Sequence, residues 1–76
     1  MVIELAELRR TAGLTQVQVA EALATSQGQI SRIEKQRDML VSTLIAYLTA
    51  LGVEASLVVT VGGKTIAQEL TGGRKR

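Results

Sequence analysis

The sequence predicts a mainly α-helical domain of four short helices, residues 1–52, followed by a C-terminal β-hairpin, residues 53–70. Three observations predict this fold. Apolar residues recur at helical spacing as far as Gly52, helix-capping residues precede the periodic segments, and beyond Gly52 the apolar period becomes alternating. A chain of 76 residues, of which 46% are hydrophobic, has room for one small core and for no second independent domain.

The composition excludes several classes of function. The sequence has no cysteine and no histidine, which removes disulfides, thiol nucleophiles, imidazole bases and the usual zinc sites. No apolar run approaches the roughly 18 residues that a membrane span requires, and the N-terminus MVIELAELRR does not have the pattern of a signal peptide. We therefore expect a cytoplasmic protein that uses no metal or cofactor. The net charge is +2, and its surplus lies mostly in Arg74, Lys75 and Arg76.

The first helix is predicted from Val2 to about Arg10. Leu5 and Leu8 lie one helical turn apart there and alternate with charged residues, as in a short helix at the protein surface. Gly13 ends this helix.

Two capping boxes predict the second and third helices. Thr15 caps the second helix with Gln18 three residues on, and Ser26 caps the third with Gln29. Two short helices joined by about three or four residues form a helix-turn-helix. The residues expected to face inward are Val19, Ala20, Leu23, Ile30 and Ile33.

The fourth helix is predicted to begin with Asp38 as its N-cap and to end at Gly52. Its apolar residues recur at helical spacing, which makes it the strongest periodic signal in the chain. We expect Tyr47, the only aromatic residue, to pack where this helix meets the hairpin. The predicted inward face consists of Val41, Leu44, Ile45, Leu48 and Leu51.

The hairpin is predicted from an alternating strand, EASLVVTV, a turn at residues 62–64 and a second strand at residues 65–70. Ala55, Leu57, Val59 and Val61 share one face of the first strand. An isolated hairpin is marginal in water and exposes two edges, so we expect a second copy of the chain or another partner to cover it. Residues 71–76 are expected to be a disordered basic tail.

The segment LTQVQVAEALATSQGQISRIE, residues 14–34, resembles the Cro/repressor-type helix-turn-helix family, also called the Xre family. The resemblance implies a four-helix, lambda-repressor-like domain that binds DNA. The family often has glycine where this chain has Ala24, and a larger polar residue where it has Gly28. The turn must therefore form without a residue that tolerates left-handed angles, and fewer side chains remain for base contacts. The matching residues are Leu14, Thr15, Gln16, Val19, Ala20, Leu23, Ser26, Ile30, Ser31, Arg32, Ile33 and Glu34.

The continuation, with its fourth helix, alternating strand, glycine turn and second strand, resembles small antitoxins of the HigA type. This resemblance implies a possible partner, a RelE/ParE-like toxin encoded beside the gene. Similar modules also occur as stand-alone regulators, and this alternative stays open.

A helix-turn-helix places the start of its second helix at the base edges in the major groove, while the first helix crosses the phosphate backbone. Glutamine can pair with adenine and arginine with guanine. The resemblance implies that Gln16 contacts phosphate. Each candidate also has a simpler interpretation, as a helix cap or as a solvated surface side chain. The candidate DNA-binding residues are Gln16, Ser26, Gln27, Gly28, Gln29, Ser31, Arg32, Lys35 and Arg37.

These features favour a sequence-specific transcriptional repressor over the other functions. Because the helical part is neutral and phosphate contacts supply much of the affinity for DNA, we expect a homodimer on a palindromic double-stranded operator. A protein-binding antitoxin is compatible with this role. An enzyme is not expected, because the sequence has no histidine or cysteine, no glycine-rich phosphate loop at a strand-to-helix turn and no pair of carboxylates outside helix faces.

Overall fold

The computed structural model describes residues 4–71. Its four helices are followed by one antiparallel two-stranded sheet, which confirms the predicted fold. Residues 72–76 of the predicted tail lie outside the described residues, whereas Thr71, which we assigned to that tail, is the last residue of the second strand. The elements are α1 Leu5–Thr11, α2 Gln16–Ala22, α3 Gln27–Lys35, α4 Val41–Leu51, β1 Ala55–Val61 and β2 Lys64–Thr71.

The hydrophobic core is built from the four helices. Leu23 packs against it and is partly buried, and Ala55 is a partly buried contribution from the start of the hairpin. The predicted inward-facing residues of α2 and α3 are therefore confirmed. The buried apolar residues are Leu5, Val19, Ala20, Ile30, Ile33, Leu44, Tyr47, Leu48 and Leu51.

Three details of the outer helices differ from the prediction. Helix α4 begins later than expected, with Leu40 as its N-cap, so the assignment of Asp38 as the cap is wrong. Val41, in the first turn of α4, was expected to face inward but is 61% exposed. In α1, Leu5 is buried as expected, but Leu8 remains exposed.

The hairpin turn consists of Gly62 and Gly63, one residue shorter than predicted. Both have positive φ angles, 55° and 82°, which suit the two-residue turns whose twist matches that of antiparallel strands. Val61 pairs with Lys64 directly beside the turn. At the other end of the hairpin, Thr71 Oγ1 donates to the Val53 carbonyl at 2.7 Å and fixes the base of the hairpin to the end of α4.

The connection between α2 and α3 depends on a residue in a strained conformation. At the end of α2, Thr25 N donates to Ala20 O at 2.9 Å, and Ala24 N donates to Glu21 O at 3.2 Å. This pair of hydrogen bonds requires a left-handed conformation at residue 24. Ala24 adopts it, with φ 55°. The same pattern ends α1, where Gly13 occupies the corresponding position with φ 80°. The turn thus forms without glycine, as its sequence demands.

Candidate nucleic-acid interface

Helix α3 presents a polar surface and is anchored by an apolar one. Ile30 and Ile33 are buried against the core. Ser26 Oγ accepts from Gln29 N at 3.2 Å and caps the helix. Within residues 4–71 the Gln29 side chain does not return a bond to Ser26, so the predicted second capping box is only half formed and the Gln29 amide stays exposed. The first capping box, between Thr15 and Gln18, is complete.

The structure joins two of the candidate residues directly. Gln27 Nε2, in the first turn of α3, donates to Gln16 Oε1 at 3.2 Å. Gln16 Nε2 in turn donates to Glu34 Oε1 at 3.0 Å. Gln16 is therefore held by residues on both sides, and it connects the exposed start of α3 to a carboxylate in the interior.

That carboxylate is the centre of a polar cluster that the sequence prediction missed. Arg9 Nε donates to Glu34 Oε2 at 2.7 Å, and the Tyr47 hydroxyl donates to the same oxygen at 2.6 Å. Arg9 Nη1 also donates to the Leu14 carbonyl at 3.0 Å. We expected Tyr47 to pack where α4 meets the hairpin. Its hydroxyl instead lies among α1, α3 and α4, 3.3 Å from the Leu5 carbonyl oxygen.

Helical spacing was the signal that could have revealed this cluster. Arg9 follows the buried Leu5 by four residues, which places its side chain on the inward face of α1. Tyr47 follows the buried Leu44 by three residues in α4. A charged residue on an inward face needs a partner of opposite charge, and Glu34 supplies it.

The polar cluster fixes the protonation states of its members. Burial of Glu34 favours the neutral acid, but hydrogen bonds from Arg9, Tyr47 and Gln16 together with the charge of Arg9 outweigh it and hold the pKa of the Glu34 carboxyl below its usual value. Burial and the neighbouring carboxylate raise the pKa of Tyr47 well above that of a free phenol. At neutral pH the Glu34 carboxylate is therefore ionised and the Tyr47 hydroxyl is a donor. The ionised carboxylate accepts from Gln16 and so orients its side chain.

The remaining candidates lie on or just beyond α3. Ser31 is half-buried, whereas Gly28, Arg32, Lys35 and Arg37 are exposed. Arg32 forms no ion pair with any other residue of the described range 4–71. A guanidinium that is exposed and unpaired can donate to base edges or phosphates. The structure thus brings Gln16, Gln27 and α3 into one surface, and it leaves the contacts of Lys35 and Arg37 unspecified.

The hairpin carries a second exposed surface of different chemistry. Residues directly opposite in an antiparallel pair share a face, so Val59 and Ile66 lie side by side. Leu57, Val59, Val61 and Ile66 share this face with Gln68 and Lys64 at its ends, and we call it the apolar hairpin face. Its four apolar side chains are 54%, 41%, 59% and 56% exposed. The opposite face, with Thr60 paired to Thr65, is more polar.

Residues 4–71 provide no other site of recognisable chemistry. They contain no group of three acidic, histidine or cysteine residues that could hold a metal ion. None of the helices in this range is long and apolar enough to cross a membrane.

The chain matches one protein family and is similar to several solved structures, among them two HigA antitoxins. A family model of a helix-turn-helix domain matches residues 1–60. The chain is similar to a DNA-bound antitoxin, HigA3, with a TM-score of 0.77 and 32% identity over 100% of this chain and 99% of that one. It is also similar to a HigA antitoxin described as bending DNA through a unique dimerization, with a TM-score of 0.76 and 31% identity over 88% of this chain and 92% of that one. No curated protein matches the sequence.

Proposed function

The chain belongs to the helix-turn-helix family and, within it, to the proteins that resemble HigA antitoxins, and on this premise we propose that it is a DNA-binding repressor. It acts without enzymatic chemistry, in the cytoplasm, as a homodimer on a palindromic operator. The observation that carries the proposal is the exposed face of α3, where amide and guanidinium groups are presented by a helix held through Gln16. Its similarity to a DNA-bound relative supports the same conclusion.

The start of α3 reads base edges in the major groove. Gln27 uses one of its two amide protons on Gln16, which leaves its carbonyl oxygen and its other amide proton for a partner. This is the acceptor and donor pair that adenine recognises, and Arg32 offers the paired donors that guanine recognises. Gln29 supplies a further amide, since its side chain is not used as a cap. Ser26 and Ser31 are secondary candidates.

Three residues position the protein on the phosphate backbone. Gln16, at the first position of α2, lies where a helix N-terminus offers backbone N–H groups to a phosphate. Lys35 and Arg37 lie at and beyond the end of α3, so their charges are available to the phosphates flanking the groove. These contacts orient the dimer but carry no sequence information.

Dimerisation is assigned to the apolar hairpin face. Four exposed apolar side chains on a two-stranded sheet are unfavourable in water, and packing them against the same face of a second copy removes them from solvent. The two copies of α3 would then contact successive turns of the operator. Because few cations contribute from each protomer, strong binding depends on the dimer, and the phosphate contacts of both copies together make it sensitive to salt concentration.

The finer biological role proposed is that of the antitoxin of a type II toxin–antitoxin pair that represses its own operon. The similarity to two HigA antitoxins supports this role, and the expected partner is a RelE/ParE-like toxin. A stand-alone regulator of the same family is the alternative. Co-expression with the product of the neighbouring gene, followed by pull-down and mass measurement, separates them: a stable complex supports the antitoxin, and no complex supports the stand-alone regulator.

DNA binding is tested by fluorescence anisotropy with the duplex upstream of the gene, using two arginine variants that remove the same charge. Arg32→Ala should weaken binding by about ten- to a hundredfold, because it deletes a base contact. Arg10→Ala is the matched control, since Arg10 is exposed on α1 and pairs at 3.4 Å with Glu7; its effect should stay within about threefold.

The wild-type dimer should lose affinity steeply between about 50 and 200 mM salt. Failure of the wild-type protein to bind this duplex at low salt would contradict the proposed function. Equal effects of Arg32→Ala and Arg10→Ala would contradict the assignment of α3 as the recognition helix.

A further inference from the structure

Gly28 differs from every other glycine that the structure describes. The others adopt left-handed angles, which glycine alone accepts without strain. Gly28 has ordinary helical angles in the first turn of α3, which any residue can adopt. Its backbone conformation therefore does not explain why glycine occurs there. The left-handed glycines are Gly13, Gly52, Gly62 and Gly63.

Space within the protomer does not explain Gly28 either. A Cβ atom added there would meet Ser26 Oγ at 3.9 Å, an ordinary van der Waals distance, and nothing nearer. The position is exposed. Glycine also makes a helix less stable than alanine does, because it loses more backbone freedom on folding. Gly28 thus weakens α3 without any benefit inside the protomer.

Helical geometry places Gly28 at the crest of α3, by which we mean the line along the helix that faces away from the core. Successive residues are about 100° apart around a helix, so position 28 points roughly opposite to the buried Ile30 and Ile33. Lys35 occupies the same crest two turns later. The crest therefore begins without a side chain at the N-terminal end of α3 and carries the long cations Arg32 and Lys35 further along.

We propose that Gly28 is the point at which the backbone of α3 comes closest to the base edges, and that the missing side chain determines which operator the protein accepts. This inference rests on the proposed function, since it takes α3 to be the recognition helix. The Gln16 tether limits how far Gln27 can extend. A side chain at position 28 would hold the helix axis away from the groove floor and take Gln27 and Arg32 out of reach of their bases.

The test is a size series at position 28, measured on a duplex that the wild-type protein selects from a random-sequence library. Gly28→Ala adds one methyl group and should weaken operator binding by about tenfold, and Gly28→Gln should weaken it by about a hundredfold, as expected for the loss of one and then two base contacts. Binding to unrelated DNA at low salt should change by less than about threefold, because phosphate contacts supply it. The urea midpoint of Gly28→Ala should be no lower than that of the wild type.

Ala46→Gln provides a matched control, because it adds a comparable side chain to an exposed position of α4. It should leave operator affinity unchanged. Wild-type affinity of Gly28→Ala or Gly28→Gln for the selected duplex overturns the inference, and so does an equal loss on unrelated DNA. If the wild-type protein selects no sequence at all, the proposed function itself fails, which distinguishes the two outcomes.

Discussion

The helical part and the hairpin of this protein differ in how far they bury their apolar side chains. The four helices enclose their own core, and a buried ion pair there, Arg9 with Glu34, is surrounded by hydrogen-bond partners. The hairpin encloses nothing: every residue from 56 to 69 is exposed, apolar and polar alike. The helical part thus buries its apolar side chains within a single protomer, whereas the hairpin leaves its own exposed to solvent.

This difference assigns separate tasks to the two regions. The helical part holds α3 and its side chains in place, so changes there should act on folding and on base recognition. In the proposed dimer the hairpin brings two such units together, so changes there should act on assembly and, through it, on DNA affinity. Variants of each region should therefore separate the free energy of unfolding from the dimer dissociation constant.

The largest effect is expected from a charge on the apolar hairpin face. Val59→Lys replaces an apolar side chain that is 41% exposed in the protomer by a charge that would lose its hydration in the interface, which together cost about 1.5–3 kcal/mol per subunit. The loss of about 3–6 kcal/mol raises the dimer dissociation constant by roughly 10² to 10⁴. Sedimentation velocity should show a monomer, and operator affinity should fall with it.

Thr60→Lys is the matched control, since it places the same charge on the next residue but on the opposite face of the hairpin. It should remain dimeric. If Val59→Lys stays dimeric at the concentrations where the wild type does, or if both variants dissociate equally, the hairpin is not used face to face as proposed.

The sequence predicted the elements better than it predicted their polar contacts. Helices and hairpin follow from local periodicity, caps and glycines, which leave their signal within a few residues. The contact between Arg9 and Glu34 spans 25 residues, and a charged side chain suggests the surface unless its helical face is considered. Aspartate favours the N-cap position, so the sequence predicts Asp38 as the cap, yet α4 begins after Leu40. The DNA contacts of the candidate residues remain predictions, since they depend on a partner outside the protomer.

The second largest effect is expected from Glu34→Ala, at the centre of the helical part. Its side chain is 5% exposed, and its removal leaves the buried Arg9 charge without an anionic partner. Breaking such a pair costs about 3–5 kcal/mol, a large share of the about 5–15 kcal/mol that stabilises a typical small protein. Urea unfolding should show a much lower midpoint.

Tyr47→Phe provides the graded comparison, because it deletes one hydrogen bond to Glu34 and keeps the ion pair with Arg9. We expect it to cost about 1.5–3 kcal/mol. If Glu34→Ala is no less stable than Tyr47→Phe, the ion pair contributes little and the helical part is held by its apolar core alone. Neither change should alter the dimer dissociation constant of the folded protein.

The smallest effect is expected at the turn between α2 and α3, where Ala24→Gly should stabilise the helical part. Alanine in the left-handed conformation costs about 1–2 kcal/mol, while glycine loses about 0.4–1 kcal/mol more conformational entropy on folding. The net gain is therefore about 0.5–1 kcal/mol. Gly13→Ala makes the opposite substitution at the same type of helix end and should lower the free energy of unfolding by a similar amount. Urea unfolding of both variants measures the difference, and a destabilised Ala24→Gly would show that the turn is held by contacts of the alanine methyl group and not strained by its backbone.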